Sequence, residues 1–151
     1  KRCLTMAMEY LKIGLGIEPK GFKVIKQYSD SYNRKATVGD LFIAERGAKI
    51  YHAGVYCSEE EIIHFTPCST DSVGSLNAAC SFSSDCKGII SKVSVKTFSQ
   101  GKKFAVFRKI GEIPCSFKED VFEAMQTTPL YDVVKNNCVH FALGLLKITL
   151  Q

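Results

Sequence analysis

The stretch GDLFIAERGAKIYHAGVYCSEEEIIHFTP, residues 39–67, decides the fold. Apolar and polar residues alternate along Leu41 to Glu45, Lys49 to Tyr56 and Ile62 to Phe65, and these runs are rich in β-branched and aromatic residues. RGA and CSEEE separate them, too short for anything but tight reversals, so the stretch reads as an antiparallel meander.

Working outward, residues 66–87 carry Pro67, Gly74 and many serines and read as a long loop. Beyond it Val93, Val95 and Thr97 alternate with lysines and serines, and FAVFRKI follows the SQGKK turn, so residues 88–110 predict a second hairpin with a basic face. SFKEDVFEAMQ predicts a helix over 116–126, with Ser116 and Glu119 as a capping box and Phe117, Val121, Phe122 and Met125 facing inward. At the other end Leu4, Met8, Leu11 and Leu15 mark one helix face that Gly14 and Gly16 terminate. Residues 17–38 read as a connector with one short strand around Phe22 to Ile25. The expectation is an α+β fold, an antiparallel sheet of about five strands packed on helices. A basic N-terminal helix and connector occupy 1–38 and the main domain 39–151.

Composition narrows the class. The chain has 151 residues, 46% of them hydrophobic, and no apolar run near the roughly 18 residues of a membrane span, which predicts a soluble globular domain. No signal peptide is read in the opening residues, and seven cysteines without C-x-x-C spacing read as thiols, so a reducing, cytoplasmic compartment is expected. A zinc site from Cys68, Cys80, Cys86 and a histidine lacks paired ligand spacing, so no metal or cofactor is expected. The net charge is +5, and residues 1–38 hold eight Lys or Arg against three acids while the remainder is balanced. That segment is a candidate surface for RNA or an anionic membrane, although solvated lysines on an ordinary surface are the commoner reading.

The chemistry concentrates in KNNCVHFALGLL, residues 135–146. An asparagine, better Asn137, caps a helix whose stripe is Phe141, Ala142, Leu145, Leu146 and Ile148, which puts Cys138 in the first turn. Unpaired N–H groups there favour a thiolate; alone, the residue reads equally as a buried cysteine that starts a helix. His140 points about 200° away from Cys138 around the axis and is a structural or surface residue. His52 and His64 share a sheet face if their hairpin loop has odd length. With a three-residue loop, Cys57 to Glu59, Tyr56 opposes Glu60 and the two histidines are directly opposite. A four-residue loop would separate their faces. A paired arrangement supplies a base and an orienter; the bland reading is a satisfied histidine pair.

GDLF, YHAGVY, IIHFTP and NNCVHFALGLL, in that order, resemble the lecithin:retinol acyltransferase and phospholipase A/acyltransferase family, a permuted papain-like branch of the NlpC-type thiol hydrolases. The resemblance implies that Cys138 is a nucleophile, His52 its general base and His64 the third polar member. Such a site takes an acyl group from a phospholipid or other acyl ester as a thioester and passes it to an alcohol, an amine or water. The chain departs from the pattern at Val139, where cellular members usually carry an acid, and it shows no hydrophobic anchor. It is also similar to picornaviral 2A-type H-box/NC proteins. For that branch the missing initiator Met and terminal Gln151 read as polyprotein processing, the location as host cytoplasm or a membrane periphery, and the partners as RNA or host proteins.

Overall fold

A computed structural model describes residues 12, 13, 15, 17–47, 50–68 and 86–148. Most of the N-terminal helix face and the centre of the 66–87 loop fall outside these residues.

Six strands form one antiparallel sheet: β1 (Phe22–Ser29), β2 (Leu41–Gly47), β3 (Ile50–Ser58), β4 (Glu61–Pro67), β5 (Gly88–Ser94) and β6 (Phe104–Lys109), in the order β1-β6-β2-β3-β4-β5. The meander is therefore β2, β3 and β4. The second hairpin does not form: β5 pairs with β4, whereas β6 crosses the sheet to lie between β1 and β2. The crossover contains α1 (Val95–Ser99), where alternation had predicted a strand. Ser94 caps it by accepting from the Thr97 N–H at 3.0 Å, and the turn closes at Gln100 with a left-handed φ of 56°. A helical turn brings Val95 and Phe98 to one side, and both are buried. Residues 22–29 of the expected connector form an eight-residue edge strand of the sheet.

Alternation divides the core in two. On one face Leu41, Ile43, Ala53, Val55, Ile63, Phe65, Ala105 and Phe107 pack with Val139, Ala142, Leu143 and Leu146. These last come from α3 (Cys138–Leu145) and the turn after it, and α3 lies across β3 and β4. On the other face Phe42, Ala44, Tyr56, Ile62, Phe104 and Val106 surround Phe98 of α1. Gly54 faces Phe98: a Cβ there would lie 2.7 Å from Phe98 Cε1 and 2.6 Å from Ile62 Cγ2, so only glycine admits the ring.

α2 (Phe117–Ala124) follows the predicted helix, but its capping box is not made. Ser116 Oγ donates to Asp120 Oδ2 at 2.8 Å instead. Phe117 and Val121 are buried, while Phe122 is 68% exposed and Met125 39%, so the inward face is narrower than the pattern predicts. At the rim Asp40, 1% exposed, takes Arg108 in a two-pronged pair at 2.9 and 2.8 Å and accepts the Thr37 N–H at 2.9 Å.

Candidate functional site

The histidines are set by one hairpin. Gly54 pairs with His64 and Tyr56 with Ile62, and the chain reverses through Glu59 and Glu60, the latter at φ 61°. Cys57 is an extra residue where the register shifts between Tyr56 and Ser58. The bulge restores an odd count between Tyr56 and Ile62, so His52 and His64 share a face. They are diagonal neighbours rather than directly opposite, because the register differs from the one a three-residue loop gives. His52 Nε2 and His64 Nδ1 lie 2.8 Å apart, one donating to the other.

Both rings pack against Phe98, with centroids 5.2 and 5.9 Å away. Arg46, half-buried at the end of β2, stands over the same ring and donates to the Phe98 carbonyl. Burial first, then His64 and Arg46, hold the His52 pKa well below the ordinary imidazole value. Burial and then Arg46 bring His64 down to about 4. The pair is therefore neutral at pH 7. Arg46 was not singled out by sequence, since its position in ERGAK marks only a strand end.

The cysteine is positioned by a different set of bonds. Asp132 Oδ1 accepts from the Val134 and Lys135 N–H groups, each at 2.9 Å, and Asn136 Nδ2 donates to the Leu130 carbonyl at 2.9 Å, which ties the turn ahead of α3. Asn137 then caps α3, accepting from the Val139 and His140 N–H groups at 2.9 and 3.2 Å, while His140 Nδ1 accepts the Asn137 N–H at 3.2 Å. His140 completes a capping box, which gives it a structural role.

Cys138 is thus in the first turn, as the sequence predicts, and it joins the buried cluster that contains Ala53. Adjacent residues of β3 point to opposite faces. The thiol lies on the face covered by α3 and the imidazoles on the face covered by Phe98. The structure brings His52 and His64 together; among the described residues it makes no hydrogen bond between Cys138 and either of them. The thiol's neighbours are the Ala53 backbone, the Tyr131 hydroxyl and, through its charge, Arg46. Burial raises the Cys138 pKa and outweighs these contacts and the Val139 N–H, all of which lower it. The expectation of a thiol acidified by the helix terminus is reversed: desolvation of a buried thiolate costs more than the first-turn dipole returns.

Among the other cysteines Cys86 is disulfide-bonded, a departure from the reading of all seven as thiols. It is not available to the zinc site considered above, and Cys80 lies outside the described residues.

The family model of lecithin retinol acyltransferase matches residues 34–147, which takes in β2 through α3 and all three candidate residues. The chain belongs to this family. Membership supports acyltransferase- or phospholipase-type function in general, with lipid or acyl substrates. No curated protein matches the chain. No helix among the described residues is long and apolar enough to cross a membrane.

Proposed function

We propose that this member of the lecithin retinol acyltransferase family is a viral 2A-type H-box/NC protein that acts by binding. In this reading Cys138, His52 and His64 correspond to the family's nucleophile, base and third member. Acyl transfer is silent while thiol and imidazoles occupy opposite faces of β3. The observation that carries the reading is that separation, together with a buried thiol whose pKa is raised and two imidazoles already satisfied by one another. A neutral thiol with no base in reach does not attack an ester.

Exposure to phosphatidylcholine vesicles at neutral pH, followed by mass spectrometry of the Cys138 peptide, tests this. No hydroxylamine-labile acyl adduct is expected. An adduct on wild type that Cys138→Ser abolishes would overturn the silent reading in favour of thioester-mediated acyl transfer or phospholipid hydrolysis.

The partner that surface charge favours is RNA. Lys23, Arg34 and Lys35 are exposed. Lys26 is not a phosphate contact: its ammonium donates to the Ser29 and Phe104 carbonyls at 2.8 and 2.7 Å and lies 3.8 Å from the Phe104 ring centroid. Changing Lys23, Arg34 and Lys35 to Gln is expected to reduce the salt slope of single-stranded RNA binding by about 2, roughly 0.7 per phosphate contact. An unchanged slope, or no retention of RNA by wild type at low salt, would leave these residues as solvated surface.

A further inference from the structure

A cleft of about 350 Å³ has the buried Val95 and Phe104 at its floor. Both belong to the aromatic cluster around Phe42, so the cleft lies on the opposite sheet face from Cys138. Three chain reversals bring side chains to its mouth: Asp30, Tyr32 and Arg34 follow β1, Glu60 sits in the β3–β4 turn, and Lys96 belongs to α1. Each reversal holds a non-glycine residue in the left-handed region, Arg34 at φ 58°, Glu60 at 61° and Gln100, at the end of α1, at 56°. Such conformations persist where neighbouring bonds over-determine them. Here the Lys26 ammonium donates to the Ser29 and Phe104 carbonyls at 2.8 and 2.7 Å and ties the first wall down. The Glu60 N–H donates to the Tyr56 hydroxyl at 2.7 Å, and the Gln100 N–H to the Lys96 carbonyl at 3.0 Å. The Tyr32 ring is held edge-on to Phe42 at 6.1 Å and against Phe104 at 5.9 Å.

The charges at the mouth are mixed. Asp30 and Glu60 supply carboxylates, Arg34 and Lys96 supply cations, and none of the four makes a side-chain hydrogen bond or salt bridge among the described residues. Acceptor-only and donor-only groups around one cleft fit a ligand that is anionic at one end and rich in N–H donors at the other. A nucleotide combines the two, and the volume, near the lower end of the roughly 300–1,000 Å³ of small-molecule sites, suits one of them. Guanine presents two adjacent donors, its ring N–H and its amino group, to the two oxygens of a carboxylate, a pairing that adenine, cytosine and uracil lack.

We propose that this cleft binds one guanine nucleotide, free or within single-stranded RNA, its phosphate on Arg34 and Lys96 and its N–H edge on the carboxylates of Asp30 and Glu60. The RNA form of the inference rests on the binding role proposed above and deepens it, because it gives Arg34 a base-reading neighbourhood that Lys23 and Lys35 do not share.

Equilibrium dialysis of the full chain against guanosine and uridine monophosphates tests the cleft. Wild type is expected to hold the guanosine nucleotide about tenfold more tightly, the discrimination of one two-pronged contact. Asp30→Asn together with Glu60→Gln should erase that preference and leave uridine nucleotide affinity in place, whereas Arg34→Gln should weaken both nucleotides alike. Equal affinities on wild type, no binding of either nucleotide, or a preference that survives the double carboxylate variant would each overturn the proposal. Oligouridine with and without one central guanosine separates the two sources. Tighter binding of the guanosine-bearing strand assigns the cleft to RNA, and equal binding of the two strands beside a guanosine monophosphate preference assigns it to the free nucleotide. The salt dependence of plain oligouridine reads the general RNA role by itself. Its absence would sink that role without touching the nucleotide preference, and equal nucleotide affinities would do the reverse.

Discussion

Lowering the pH from 7 to 5 is expected to remove about 2–4 kcal/mol of folding stability, with His52 and His64 as the main source. Both imidazoles have folded pKa values below the ordinary 6.5, His64 at about 4 and His52 well below the ordinary value. Above pH 6.5 neither folded nor unfolded chain protonates them, and the pair contributes no pH dependence. Below it the unfolded chain takes up protons that the folded chain refuses, so stability falls by about 1.4 kcal/mol per pH unit for each histidine. The loss from His64 levels off only near its folded value. The refusal has three causes: burial, the neighbouring imidazole and the Arg46 charge. Half-buried His140, its pKa lowered by burial, adds in the same direction. Carboxylates titrate mostly below this window. Urea unfolding at the two pH values measures the effect, and His64→Asn is expected to flatten it. A difference under about 1 kcal/mol would mean that the folded protein accepts the protons.

Truncation of Phe98 to alanine is expected to cost about 3–5 kcal/mol, on the order of 10 °C in Tm. Phe98 is fully buried and meets Phe42 edge-on at 6.2 Å, both histidines and the Arg46 guanidinium. Gly54 has no side chain with which to fill the void. The same change should let water reach the imidazoles and weaken the pH dependence just described, which a lost apolar contact elsewhere in the core would not do. Thermal unfolding at pH 7 and pH 5 reads both effects. A Tm loss of only a degree or two would show that α1 is not the cover of this face.

Much of the fold was legible because it is local. Period-two alternation from Leu41 to Phe65 marked the meander, and Asn137 ahead of an apolar stripe marked α3. The failures are places where a distant partner won. Val93 and Val95 alternate as a strand would, yet Phe98 is drawn into the aromatic cluster around Phe42, and a Ser94-capped turn delivers it. β6 finds its partners in β1 and β2, and nothing in the SQGKK connection announces that it will leave β5. Ser116 has the spacing of a capping box but bonds the Asp120 carboxylate instead.

For the candidate site the division is sharper. Sequence alone determined that Cys138 begins a helix, that His52 and His64 can share a face, and that His52 and Ala53 must point to opposite sides of their strand. It did not determine which side α3 covers, because alternation is indifferent to the identity of the two faces. Packing decided that. The apolar stripe of α3 takes the side of Val55, Ile63 and Phe65, while the aromatic ring of α1 takes the side of Gly54 and the imidazoles. The thiol follows its helix, the histidines stay with their strands, and one β-strand lies between them.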